Sequence, residues 1–135
     1  ICIFRDGDRI LVGEGYDPTK QEQFYRPLGG GIEFGERAEA TIQRELREEI
    51  GAEVASLQYL FTLENIFTFD GEAGHEIVMV FDGRLADVTL YEKDSIEGDE
   101  FDRFRQAPLK AVWKRLDEFG PMVPLYPDGL LECLT

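Results

Sequence analysis

Short apolar runs separated by turn residues characterise the start of the chain. Residues 1–4 and 9–12 are apolar and rich in β-branched side chains, and an Asp-Gly-Asp turn stands between them. This pattern predicts a β-hairpin. Residues 13–22 are polar and contain Gly, Pro and Asp, so we expect a loop there. Residues 23–28 predict a further short strand.

A helix is predicted over residues 37–50. Its apolar side chains recur at every fourth position and form one packing stripe, made of Ala38, Ile42, Leu46 and Ile50. Gly51 follows directly, and glycine is the residue that most often ends a helix. The stripe predicts that one face of this helix packs on a core.

Beside the stripe, the same helix carries three carboxylates at positions i, i+3 and i+4. Glu45, Glu48 and Glu49 therefore lie on one helical face. Like charges at this spacing destabilise an isolated helix by about 0.2–0.5 kcal/mol per pair. A hard cation would remove that repulsion, and Mg²⁺ and Mn²⁺ prefer such oxygen ligands. The pattern indicates a divalent metal site; the alternative is an ordinary exposed Glu-rich face.

The second half of the chain predicts more strands and a closing helix. In order, we expect strands at 53–69 (one strand, or two with a bend), a hairpin loop at 70–74, a return strand at 75–81, an acidic loop at 91–102 and a last strand at 102–107. A helix is predicted from Pro108 or Leu109 to about Gly120. Strands around a central helix, then a closing helix, predict an α+β fold in which helices cover both faces of a mixed sheet.

Composition narrows the class of protein. A length of 135 residues predicts a single domain spanning 1–135. The net charge of −14 argues against binding to nucleic-acid backbones or anionic membranes. It would also repel an anionic small substrate unless divalent cations intervened; the alternative is that the charge serves solubility alone. No apolar run is long enough to predict a membrane span.

Cysteine usage and the ends of the chain bear on location. Cys2 and Cys133 are isolated, and we expect free thiols in a reducing, cytoplasmic setting. No secretory signal is visible. The first residue is Ile1 and already reads as strand, so we expect the natural N-terminus to lie further upstream.

The segment from Gly30 to Ala52 resembles the Nudix box. Its fixed positions are all present: Gly30, Glu36, Arg44, Glu45, Glu48, Glu49 and Gly51, with Leu46 and Ala52 at the apolar positions. Leu28 and Phe34 stand where relatives often have proline, and neither is a ligand position. The flanking strands fit the family over nearly the whole chain. The resemblance implies the Nudix fold, an α/β/α sandwich around a mixed β-sheet.

The resemblance also implies a chemistry and a set of roles. The expected reaction is hydrolysis of the pyrophosphate linkage of a nucleoside diphosphate joined to another group, dependent on Mg²⁺ or Mn²⁺. The substrate would be a nucleotide sugar, a dinucleotide polyphosphate or a (d)NTP. The implied catalytic residues are Glu45, Glu48 and Arg44. The implied metal ligands are Glu45, Glu48, Glu49 and a backbone carbonyl of Gly29 or Gly30. A further ligand is an acidic residue from a late loop, for which Glu100 is preferred to Glu97. Glu45 is either a ligand or the general base, and Arg44 with Glu36 forms an orienting ion pair.

Substrate contacts are predicted less sharply. Arg26 lies just before the glycine loop and is placed to reach a phosphate; the alternative is a solvent-exposed side chain. Phe69 could stack on a base; the alternative is packing in the core. His75, the only histidine, is expected at the surface. The marks of the ADP-ribose and diadenosine polyphosphate subgroups are absent, so no nucleotide is predicted. The rival function is a Nudix-like domain that senses a nucleotide without hydrolysing it. Relatives are commonly dimers, which leaves a homodimer open by analogy.

Overall fold

A computed structural model describes residues 1–98 and 108–135. Within these ranges a 7-stranded sheet carries a long helix and a short C-terminal helix. The elements are β1 (Cys2–Asp6), β2 (Arg9–Asp17), β3 (Glu22–Pro27), α1 (Ala38–Ile50), β4 (Val54–Phe69), β5 (Glu72–Leu85), β6 (Ser95–Glu97), β7 (Lys110–Arg115) and α2 (Leu130–Leu134). Single 3₁₀ turns span Val88–Glu92 and Leu116–Glu118. The strand predicted over 102–107 lies outside the described residues.

The sheet is mixed, as predicted. Its strand order is β4-β5-β1-β2-β7-β6, and β3 pairs with β2. β1 runs parallel to β5, with Cys2 opposite Phe81, whereas every other strand pairing described is antiparallel. The predicted hairpin of β1 and β2 is confirmed by the register of Arg5 opposite Ile10. β1 is thereby buried at the centre of the sheet.

Helix α1 covers one face of the sheet and confirms the helix predicted over 37–50. Ile42 and Leu46 of the apolar stripe are buried, and the ends of the stripe pack against the same core. Gly51 ends the helix in the left-handed conformation, with φ of 65°, and its N–H donates to the carbonyl of Arg47. The helix is therefore held by packing and by a glycine cap, and its carboxylates lie next to the buried stripe.

The opposite face of the sheet has its own core. Ile3, Ile10 and Val80 point to this side and pack with Leu130 and Leu134 of α2. Helices thus lie on both faces of the mixed sheet, as the predicted sandwich requires. The helix on the second face is five residues long and comes from the extreme C-terminal part of the chain.

The helix predicted from Pro108 or Leu109 to Gly120 is wrong. Its residues form β7 and the 3₁₀ turn that follows, and β7 lies antiparallel to β2, with Trp113 opposite Leu11. The run Leu-Lys-Ala-Val-Trp-Lys has moderate helix propensity, but the open edge of β2 offers it a full ladder of backbone hydrogen bonds. Tertiary pairing overrides a propensity of a few tenths of a kcal/mol per residue.

Three loop boundaries also differ from expectation. β2 continues through Gly13 to Asp17, inside the predicted loop, because β3 pairs with it along this length. The β4–β5 turn is shorter than predicted and consists of Asp70 and Gly71, both at positive φ. Of the two alternatives left open for residues 53–69, the structure has the single strand, β4, with two register shifts. Part of the predicted acidic loop, Ser95–Glu97, is a strand paired with β7.

The two cysteines are free, as expected; Cys2 is buried and Cys133 is exposed. Burial raises the pKa of the Cys2 thiol to about 12. In the residues that the structure describes, no helix has the length and apolar character needed to cross a membrane.

Replacement of Leu46 by alanine tests the packing of α1. Leu46 is fully buried between the helix and the sheet, so we expect Leu46→Ala to lower the free energy of unfolding by about 2–5 kcal/mol. The matched control is Val88→Ala, because Val88 is 67% exposed, and its effect should stay within about 0.5 kcal/mol. Urea denaturation measures both. Equal effects of the two substitutions would contradict this packing.

Candidate functional site

A glycine-rich segment brings main chain against the carboxylates of α1. It leaves β3 and is fixed by a hydrogen bond from the N–H of Cys2 to the carbonyl of Leu28, at 2.9 Å. A Cβ built on Gly30 would overlap the carboxylate of Glu45. A side chain at position 30 would therefore displace the Glu45 carboxylate, and glycine permits this approach of the main chain to an acidic side chain. The carbonyls of Gly29 and Gly30 remain predicted ligands.

Arg44 is the centre of the site. Its Nε and Nη2 both donate to the carboxylate of Glu36, each at 2.9 Å, which is the fork geometry of a bidentate pair. Its Nη1 donates to Glu45 at 2.9 Å and to Glu48 at 3.3 Å. Nη2 also donates to the carbonyl of Gly31 at 3.1 Å. One guanidinium thus ties the glycine segment to two of the three helix carboxylates, and the predicted pair with Glu36 is present.

Glu36 is held by more than this ion pair. The hydroxyl of Thr41 donates to Oε1 of Glu36 at 2.6 Å. The hydrogen bonds from Arg44 and then from Thr41 lower the pKa of Glu36 from 4.5 to about 2. The pKa of Arg44 is raised in return, mainly by its hydrogen bonds to Glu36. The pair stays charged at any pH near neutrality and keeps the side chain of Arg44 in place.

The three carboxylates differ in their access to solvent. Glu49 is only 6% exposed, the Glu45 side chain is 17% exposed and the Glu48 side chain is 43% exposed. Burial raises the pKa of Glu45, while the hydrogen bond and the charge of Arg44 lower it; the charge of Glu48 adds to the rise, and a hydrogen bond accepted from Glu49 opposes it. The site therefore concentrates negative charge where little water can screen it, which is costly unless a cation or a proton compensates.

The donor set fits a hard divalent cation in its chemistry. Carboxylate oxygens on one helix turn and main-chain oxygens beside them are the ligands that Mg²⁺ and Mn²⁺ prefer. In residues 1–98 and 108–135 no three His, Cys, Asp or Glu side chains are arranged around a common point that would hold a metal ion. Arg44 donates to Glu45 and Glu48, so these side chains would have to turn from the guanidinium to bind a cation.

A cavity of about 360 Å³ opens beside β3. It is lined by residues of β2 to β5 and of the C-terminal segment, among them both predicted substrate contacts, Arg26 and Phe69. Arg26 lies 3.7 Å from Glu76, and Glu76 also lines a second cavity, of about 280 Å³, that reaches Gly30 and Gly31. The structure thus brings Arg26 and Phe69 together in one cavity, and Glu76 is shared with the cavity that the glycine segment lines.

Several cavity residues were not predicted. Glu22, Asn65, Glu76 and Tyr126 all line it. Glu22 could have been found from the strand alternation of Glu22, Phe24 and Arg26, which puts all three on one face. Tyr126 carried no signal, because it reaches the cavity only through the packing of the distant C-terminal segment on β3.

The other predicted residues have definite places. Glu97 ends β6 and is exposed, and Gly98 lies against the main-chain carbonyl of Glu49, so this loop begins beside α1. Glu100 lies outside the described residues. His75 is at the surface, with Nε2 3.2 Å from a Glu64 oxygen.

Comparison with solved structures gives the fold. A NUDIX hydrolase from Nitrosomonas europaea matches 98% of this chain and 82% of its own, at a TM-score of 0.64 and 18% identity. A MutT NUDIX hydrolase from Burkholderia pseudomallei matches 99% of this chain and 94% of its own, at a TM-score of 0.64 and 20% identity. The predicted α+β Nudix fold is confirmed.

Curated proteins match by sequence over shorter lengths. The NAD-capped RNA hydrolase NudC of Pseudomonas aeruginosa is 38% identical over 60 residues, covering 44% of this chain and 21% of NudC. The human mitochondrial NAD(P)H pyrophosphatase NUDT13 is 41% identical over 59 residues, covering 44% of this chain and 16% of its own length. NudC of Mycobacterium tuberculosis is 26% identical over 132 residues, covering 92% of this chain and 39% of NudC.

The chain thus spans well under half the length of these curated relatives. The NUDIX domain family matches it over residues 1–128, which includes the glycine segment, α1 and the cavity strands. The chain belongs to the Nudix family.

Proposed function

We propose that this chain is a metal-dependent hydrolase of the pyrophosphate linkage in a nucleoside diphosphate joined to another group. The observation that carries the proposal is the Arg44-centred cluster, in which one guanidinium joins Glu45 and Glu48 to a glycine segment that lines a cavity. The family match and the names of the curated relatives, which are pyrophosphatases or hydrolases of NAD-type caps, support the same reaction class. A cytoplasmic setting agrees with the free thiols.

The residues proposed to hold Mg²⁺ or Mn²⁺ are Glu48 and Glu49, with a carbonyl of Gly29 or Gly30, and Glu45 is either a further ligand or the general base. A divalent cation bound there would neutralise the diphosphate and make a water molecule more acidic. Glu49 contributes a carboxylate that burial keeps out of bulk water. Glu48 is the more exposed ligand and can turn away from Arg44. Glu100 is retained as a proposed further ligand from the late loop.

Proton transfer is assigned to Glu45. Its carboxylate is half-sheltered by Gly30 and held by Arg44, and burial raises its pKa. A base with a raised pKa accepts a proton more readily from an attacking water, and proton transfer to a positioned side chain is typically worth about 10²–10⁴-fold in rate. Water adds to phosphorus, the bond from phosphorus to the bridging oxygen breaks, and the released proton passes to the Glu45 carboxylate.

The substrate is proposed to lie along β3. Arg26, next to the glycine segment, is placed to meet the diphosphate, and the aromatic cavity beyond it is placed to hold the nucleoside. Phe69 packs edge-on against Phe24, with ring centroids 6.1 Å apart. Because the curated relatives are named for NAD-type substrates, NADH belongs in the substrate panel beside nucleotide sugars, dinucleotide polyphosphates and dNTPs.

Replacement of Glu49 by glutamine tests the carboxylate cluster. The amide keeps the volume of the buried side chain but loses the negative oxygen that would bind the cation, so kcat should fall by at least about 10²-fold with Mg²⁺ on whichever panel member is hydrolysed. The matched control is Glu39→Gln in the first turn of the same helix, where the side chain is exposed. The control should retain its rate, and circular dichroism should show both variants folded.

Near-normal turnover in Glu49→Gln would contradict the assigned role. Tight binding of nucleotides without any phosphate-containing product from the wild-type protein would instead support the sensing function and refute the hydrolase.

The Glu36–Arg44 pair predicts that the stability of the fold decreases in acid. The folded-state pKa of Glu36, about 2, lies below its ordinary 4.5, so the carboxylate stabilises the fold above pH 4.5 and this contribution is lost as pH falls towards 2. Glu36→Gln should therefore lose less stability than the wild type between pH 4.5 and 2, measured by urea unfolding across that window. Glu33→Gln is the control, since Glu33 is exposed and 3.9 Å from Arg44. Parallel curves of stability against pH for the wild type and Glu36→Gln would refute the stabilising role of the Glu36 carboxylate.

A further inference from the structure

The cavity beside β3 is lined by charged side chains of both signs. Glu22, Phe24 and Arg26 occupy alternate positions of β3 and all line it. At about 3.3 Å per residue, Glu22 and Arg26 stand roughly 13 Å apart along the strand. Arg26 lies 3.7 Å from Glu76, and the other charged residues of the lining are Asp17, Lys20 and Asp128. Positions 22 and 26 of β3 therefore offer a ligand groups of opposite charge.

The acidic residues of the cavity do not all have the same freedom to bind. Asp17 is buried and accepts backbone N–H groups from Thr19 at 3.0 Å, Lys20 at 3.1 Å and Asp70 at 3.2 Å. Its role is to tie the end of β2 to the β4–β5 turn. Glu76 accepts from the side-chain amide of Asn65 at 3.1 Å. These two carboxylates are used by the fold.

Glu22 is different. The Tyr126 hydroxyl donates to Oε1 of Glu22 at 2.8 Å, and this bond spans 104 positions of the sequence. Burial, and then the bond to Glu22, raise the pKa of Tyr126, so the phenol remains a donor at neutral pH. Among the described residues, Tyr126 is the side chain that donates a hydrogen bond to the Glu22 carboxylate. Its carboxylate is therefore oriented and retains lone pairs for a ligand.

Aromatic rings stand beside this oriented carboxylate. Tyr126 packs on Phe24 with ring centroids 5.4 Å apart, and Phe69 packs edge-on against Phe24 at 6.1 Å. All three line the cavity. A flat heteroaromatic ring can stack here with its edge towards Glu22, provided that the edge donates hydrogen bonds.

We propose that Glu22, positioned by Tyr126, is a specificity-determining residue that selects a base with two adjacent N–H donors, the edge that guanine presents through its ring N–H and exocyclic amine. Adenine has no ring N–H on that edge, and hypoxanthine lacks the amine. A base that leaves a carboxylate unpaired is rejected, because the lost charge-assisted hydrogen bonds are worth roughly 10- to 100-fold in affinity. This inference rests on the proposed function for the identity of the ligand as a nucleotide.

The test is calorimetric binding of the α,β-methylene diphosphates of guanosine, inosine and adenosine in Mg²⁺, none of which can be hydrolysed between the phosphates. The wild-type protein should bind them in that order, with guanosine at least about 10-fold tighter than adenosine. Glu22→Gln should reduce the guanosine-to-adenosine affinity ratio by about 10-fold, and Tyr126→Phe should reduce it by less. Glu132→Gln, on exposed α2 surface, is the charge-matched control and should keep the wild-type ratio.

Equal affinities for the three analogues, or an unchanged ratio in a folded Glu22→Gln protein, would overturn the proposal; melting temperatures establish the fold of each variant. The two proposals fail separately. A guanosine preference without hydrolysis of any panel member would refute the hydrolase and leave the base selection intact. Hydrolysis that depends on Glu49 but proceeds equally with every base would support the hydrolase and refute the base selection.

Discussion

The guanidinium of Arg44 is the interaction on which the candidate site depends. It holds Glu36 by a two-point fork, donates to the adjacent Glu45 and to Glu48 one turn further along α1, and reaches back to the carbonyl of Gly31. A carboxylate cluster on one helix turn repels itself, and a buried one is costly. A single planar cation with several fixed donors can compensate for that repulsion and set side-chain directions at once, which an ammonium group cannot do with comparable geometry.

The sheet supplies the second constraint, because it fixes where the cavity lies relative to this cluster. β3 pairs along β2 and runs directly into the glycine segment, so the order of side chains on one face of β3 becomes the order of groups along the cavity. The packing of the C-terminal segment on β3 closes the far end: the N–H of Tyr126 donates to the carbonyl of Tyr25 at 2.8 Å. β3 thereby carries Glu22 at its start and runs at its other end into the glycine segment beside α1, without a flexible element between them.

Local patterns were enough to predict the part of the site that is built on one segment. The four-residue period of α1 and its glycine cap are short-range, so the helix and its buried face were predicted from the residues alone, whereas the ion pair of Glu36 with Arg44 was implied by the resemblance to the Nudix box. The cavity was not, since the contact of Glu22 with Tyr126 joins positions 104 apart. The misassigned helix at β7 has the same origin: its conformation is decided by the edge of β2, about a hundred residues earlier. Arg26 and Phe69 were identified singly, but only the sheet brings them into one cavity.

The overall charge gives these local arrangements their significance. A net charge of −14 repels any phosphate-bearing molecule at long range, yet screening limits that repulsion to about a Debye length, near 8 Å at physiological ionic strength. Within that distance the balance is decided by individual groups: the charged side chains that line the cavity, Arg26 and Lys20 among them, and the α1 carboxylates, which attract a phosphate only through a bridging cation. The Glu22 carboxylate opposes a phosphate placed beside it and favours a hydrogen-bond-donating base there, so local charges and not the net charge decide how an acidic protein receives a nucleotide.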